Sequence, residues 1–151
     1  MESLRPFFDH RPDPDNPGWH TWDLLDPTRF NAAVMGKLIV RPEGDHCRLR
    51  MFPERRHTNL QDMVHGAVTL ALIDIALFAA LRTLSGNDPG RAVTLELSSH
   101  FIGAGRPDQP LDAVTELLRE TRRLAFLRGQ VVQDDHLVAS FSGMVRKGPA
   151  F

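Results

Sequence analysis

A chain of 151 residues, 42% apolar and 25% charged, has the size and composition of one globular domain with its own core. Its net charge of −1, from 18 basic and 19 acidic residues, argues against a general electrostatic partner such as nucleic acid or a membrane surface. The single Cys47 excludes an intrachain disulfide and a cysteine-based zinc cluster, and no basic-then-apolar leader opens the chain, so a cytoplasmic protein is expected.

Residues 1–27 carry Pro6, Pro12, Pro14, Pro17 and Pro27, together with Phe7, Phe8, Trp19 and Trp22. Proline fixes φ and removes a donor, so this segment reads as an extended arm whose aromatics lie against the domain or a neighbour. Residues 28–151 are expected to form the domain itself. Asp26-Pro27-Thr28 resembles a helix start leading into Arg29–Met35, ended by Gly36. Residues 37–41 and 47–52 read as strands, and a loop from Pro53 to Val64 follows.

The next segment, roughly 66–84, is a long apolar helix. From Val68 to Leu81 its sole ionisable residue is Asp74. A helix apolar all round is expected to be buried on every side, and a buried carboxylate without a partner loses hydration worth several kcal/mol. No local cation is on offer, which points to a carboxylate facing a cleft. The run is interrupted by Asp74 and flanked by His65 and Arg82, which argues against a membrane span.

Residues 85–90 break the helix, and the rest reads as sheet. Val93, Leu95, Leu97, Ser99 and Phe101 alternate with polar residues, the period of a half-buried strand. Further strands are predicted near 111–120, 123–133 and 136–146, with a hairpin around Asp134-Asp135. One apolar helix among antiparallel strands implies an α+β fold in which the sheet curls around the helix.

The segment from His57 to Ala67 contains His57-Thr58-Asn59 and His65-Gly66-Ala67, with Asp74 eight residues beyond Gly66. This resembles the hotdog-fold acyl-coenzyme A thioesterases of the phenylacetate-degradation type, which carry His-x-Asn, then His-Gly-Gly, then an Asp at that spacing. Val93-Thr94-Leu95 and Arg122-Arg123-Leu124-Ala125-Phe126 are similar to further family segments, and the resemblance spans roughly residues 30–147. It implies a hotdog fold, hydrolysis of an acyl-coenzyme A thioester, no cofactor and no metal. Ala67 departs from the second glycine, and Asp62 stands where a glycine is common.

On this resemblance Asp74 is the general base on water or the nucleophile, assisted by Thr94. Gly66, with a free N–H at a helix N-terminus, and the amide of Asn59 orient and polarise the carbonyl. His65, Ala67, Arg122 and Arg123 are the expected substrate and coenzyme A contacts, with Arg55, Arg56, Arg106 and Arg128 as further cations. Asn59 has an alternative role in holding its own turn, His57 and His65 in anchoring the loop, and Thr94 in filling a strand position.

Eight residues of helix separate Gly66 from Asp74 by about 12 Å, too far to flank one carbonyl carbon. Either the helix bends, or Gly66 of one subunit works with Asp74 of another. The second option implies a homodimer, and a dimer of dimers is the assembly expected for the family. A non-catalytic acyl-coenzyme A or acyl-carrier binding module of the same fold is the alternative function.

Overall fold

The computed structural model describes residues 4–151. The strands are β1 (Phe8–Asp9), β2 (His20–Thr21), β3 (Asp23–Leu24), β4 (Leu38–Glu43), β5 (His46–Met51), β6 (Val93–Phe101), β7 (Leu111–Glu120), β8 (Leu124–Gln133) and β9 (His136–Arg146), with one α-helix, α1 (Gly66–Leu84), between β5 and β6. Seven of them make one sheet in the order β2-β4-β5-β7-β8-β9-β6, every neighbouring pair antiparallel. The helix lies in its concave side, chiefly against β5 and β7.

The packing follows from the sequence pattern. Leu72, Ile73, Leu77, Ala80 and Leu81 are fully buried in one cluster with Leu49 and Met51 of β5, Leu111 and Ala113 of β7 and Leu127 of β8. Full burial of a leucine or isoleucine side chain is worth about 1.5–3 kcal/mol. Gly143 of β9 permits close approach of the helix, because a Cβ there would lie 2.6 Å from Leu77 Cδ1.

Four expectations change in detail. The short helix does not begin at Pro27: Asp26 Oδ1 instead accepts from Thr28 N in a turn, and the chain then winds as one wide π-helical stretch, Asn31–Met35. The N-terminal arm is not merely extended. Strand β2 joins the main sheet beside β4, β1 pairs with β3, Trp22 is buried in the core, and Trp19 lies between the guanidiniums of Arg41 and Arg50 at 4.4 and 4.7 Å.

Strand β6 has the expected bounds, but its alternation is out of phase at the start. A bulge between Thr94 and Glu96 turns Thr94 inward and leaves Val93 and Leu95 exposed, while Leu97 and Ser99 stay half-buried. Nor is α1 buried all round. Ala67 and Leu70 are exposed and Ala71, Asp74 and Phe78 only half-buried, at the spacing of a single helix face. The sheet encloses the rest of the helix, and by length and composition alone α1 would also suffice to cross a bilayer.

Candidate active site

The loop before α1 is held by its own side chains. Glu54 starts a short 3₁₀ turn, Arg55–His57, in which the buried His57 accepts from Glu54 N at Nδ1 (2.9 Å) and donates from Nε2 to Val34 O (2.6 Å). Both ring nitrogens are engaged with backbone, so His57 ties the loop to the π-helical stretch. Asn59 Oδ1 accepts from Gln61 N (2.9 Å) and Met63 N (3.2 Å), the backbone-mimicking role of a turn asparagine, which leaves its Nδ2 as the available donor. Asp62 takes a left-handed conformation, φ 59°, which explains why a glycine is comfortable at this position.

His65 caps the helix: its Nδ1 accepts from Ala67 N at 2.9 Å, and its carbonyl accepts from Val68 N and Thr69 N. The N–H of Ala67 is therefore occupied, and that residue presents only its methyl group. Gly66 N is the first-turn amide to which no acceptor falls among the described residues. It sits where the helix dipole favours negative charge. An open cavity of about 760 Å³ lies over this end of the helix, lined by Arg55, Thr58, Asn59, Leu60, Asp62 and His65.

Asp74 lies two turns further along the same uninterrupted helix. Its Oδ1 accepts from Thr94 Oγ1 at 2.6 Å, a contact made possible by the bulge that turns Thr94 inward. No ion pair to Asp74 exists among the described residues. Arg82, on the same helix face, is held instead by Asp88 at 3.1 Å and by the carbonyl of Gly90. A second cavity of about 250 Å³ reaches the carboxylate.

The structure thus brings Asp74 to Thr94, and Asn59 to His65 at the cavity beside Gly66's end of the helix, but keeps the two groups apart within one chain. Arg122 and Arg123 stand exposed in the β7–β8 turn, and Arg122 lines a polar cleft with Asn87, Glu120 and Lys147 beyond the C-terminal end of α1. Arg106 and Arg128 are occupied by Asp108 and Glu116. Of the surroundings of Asp74, Phe78 is a sequence candidate for the acyl pocket, whereas Trp22, Asn31 and Arg82 are not. Helical spacing would have placed Phe78 and Arg82 on the face of Asp74, whereas nothing local points from Trp22 to that cavity.

A single helix cradled by a curled antiparallel sheet, with a carboxylate on its open face, is the architecture of a hotdog protein. The thioesterase superfamily model matches residues 61–140, and the chain belongs to that superfamily. A Pseudomonas aeruginosa protein named for esterase activity is 29% identical over 122 residues, covering 81% of this chain and 84% of that protein. Among solved structures, a mutant of the phenylacetic acid degradation protein PaaI from Thermus thermophilus superposes with a TM-score of 0.67 at 27% identity, over 82% of this chain and 100% of that one. A Bacillus halodurans protein crystallised with CoA has a TM-score of 0.59 at 27% identity, over 66% of this chain and 65% of that one.

Proposed function

We propose that this protein hydrolyses an acyl-coenzyme A thioester to a free acid and coenzyme A. The observation that carries the reading is the Asp74–Thr94 pair: a carboxylate with no cation beside it among the described residues, one oxygen held at 2.6 Å by a hydroxyl, and a cavity reaching it. Superfamily membership, and a neighbour that binds CoA, support the substrate class.

Asp74 removes a proton from water as the water oxygen bonds to the thioester carbon. The carbonyl oxygen gains charge and is met by Gly66 N–H at a helix N-terminus and by Asn59 Nδ2–H. The carbon–sulfur bond then breaks, the electron pair leaves on sulfur, and the proton returns to the coenzyme A thiolate. Thr94 keeps the carboxylate from turning away. Because α1 is continuous, Gly66 and Asn59 come from a second copy, in a homodimer that itself pairs into a tetramer. Arg55, Arg122 and Arg123, which form no ion pair among the described residues, are the cations for the coenzyme A phosphates.

The test is release of coenzyme A from a panel of acyl thioesters, followed with a thiol-detecting dye. Asp74→Asn is expected to lower kcat by about 10²–10⁴-fold with the fold intact. Thr94→Val is expected to lower kcat about tenfold at unchanged KM, since it perturbs only the base. Full turnover in Asp74→Asn overturns the mechanism. Calorimetric binding without turnover by the wild-type protein replaces it with the binding-module reading.

A further inference from the structure

We propose that the acyl group lies in the same protomer as Asp74, in an apolar channel roofed by the N-terminal arm, and that Phe8 and Phe151 limit how long an acyl group is accepted. This rests on the hydrolase reading above and adds the acyl class to it. Three residues of one helix face, Asp74, Phe78 and Arg82, form the floor of the cavity of about 250 Å³. Eight residues of helix give that floor a length of about 12 Å. Its other walls come from far away in sequence: Leu4, Phe8 and Trp22 from the arm, and Phe151, with Asn31 as one polar member.

Leu4, Phe8 and Phe151 have a second side. They also line a larger apolar space of about 510 Å³, whose remaining walls include Phe7, Leu24 and Leu25. The two spaces are therefore separated by those three side chains. Phe8 is braced by Trp22, with ring centroids 4.9 Å apart, and Phe151 by Phe7 at 5.1 Å. The segment that carries Phe151 is pinned by Arg91 N donating to Pro149 O at 2.8 Å and by Gly148 N donating to Pro89 O at 3.1 Å.

Arg82 closes the far end of the floor, with one N–H of each terminal nitrogen donating to Asp88 and to the Gly90 carbonyl. Between Asp74 and Arg82 the walls are chiefly Leu4, Phe8, Trp22, Phe78 and Phe151, so the channel suits coenzyme A thioesters of apolar acyl groups, aliphatic or aryl.

Two measurements test this. In the first, kcat/KM is compared for octanoyl- and palmitoyl-coenzyme A in the wild type, Phe8→Ala and Phe151→Ala. Opening the partition joins the two spaces, so the palmitoyl-to-octanoyl ratio is expected to rise about tenfold or more in at least one variant. Phe151 is half-exposed, so its truncation is the gentler change to the fold. The second uses a Trp19→Phe background, in which Trp22 is the remaining tryptophan, titrated with the non-hydrolysable thioethers octyl- and methyl-coenzyme A. Octyl-coenzyme A is expected to shift Trp22 emission and methyl-coenzyme A to leave it unmoved.

Ratios unchanged in both variants of an active protein overturn the channel and leave the hydrolase reading standing. If the wild type hydrolyses no thioester, the Trp22 titration decides. A response keeps the channel and discards the hydrolase reading, and silence discards both.

Discussion

Gly66 is a residue that its own chain does not require. Its φ is not in the left-handed region, and an added Cβ would meet only the ring of Phe101 at 3.7 Å, an ordinary contact. Alanine is also the better helix former. Gly66→Ala is therefore expected to melt at or slightly above the wild-type temperature while kcat/KM for an acyl thioester falls at least about tenfold, because the methyl group crowds the carbonyl that the N–H must reach. Undiminished activity would remove Gly66 from the site. Asn59 gives a complementary contrast, since its two ends do different work. Asn59→Ala deletes the acceptor of two loop amides and should cost about 1–2 kcal/mol of stability as well as activity. Asn59→Asp keeps that acceptor but replaces the donor with a negatively charged oxygen, so thermal stability should hold while turnover drops. Equal losses of stability in both variants would make Asn59 a turn residue alone.

At the level of elements, what could be read in advance depended on how local the cause was. The helix from Gly66 to Leu84 and the strands at 93–101, 111–120 and 136–146 are legible because apolar periodicity and Gly/Pro punctuation act within a few residues. Strand periodicity faces Thr94 away from the helix, and only the family resemblance sets it beside Asp74, because its inward turn depends on one extra residue in the pairing of β6 with β9. The helix face left uncovered was not legible: hydrophobicity does not distinguish a residue covered by its own sheet from one the sheet leaves open. The wall contributed by Leu4, Phe8 and Phe151 joins the two ends of the sequence, beyond the reach of any local pattern.

Strand β5 carries its own pH signature. Burial pushes the Cys47 thiol up to about 11. An unfolded thiol ionises near 8.5, so the unfolded state releases a proton that the native state keeps, and stability falls as pH rises from about 8.5 to 11. Urea midpoints at pH 7.5 and pH 10 should therefore diverge more for the wild type than for Cys47→Ala. Identical pH dependence in the two proteins would show that the thiol does not titrate with unfolding.

For the whole molecule, the uncovered surfaces lie together. The open face of α1, with Leu70 exposed, is joined at its N-terminal end by Phe101, whose ring lies over Gly66, and β6 is an unpaired edge of the seven-stranded sheet. An open edge strand and an apolar stripe are both features that proteins normally cover. A two-fold pairing through them would give two composite sites. Leu70→Arg is expected to shift the sedimentation profile to a single chain and to abolish turnover with it. Mixing refolded Asp74→Asn with Gly66→Ala subunits should recover about a quarter of the wild-type rate, because half of the pairs then hold one intact site. No recovery would place both groups in one chain and leave the straight helix unexplained.

The depth at which Cys47 lies has a practical side for kinetics. With its one sulfhydryl enclosed beneath the sheet, the folded protein contributes almost no colour to a sulfhydryl-reactive dye, even at concentrations equal to substrate. The first turnover can thus be watched directly. An acyl-aspartate at Asp74 would release a stoichiometric pulse of coenzyme A before the steady state if its breakdown is the slower step, and direct attack by water would release none.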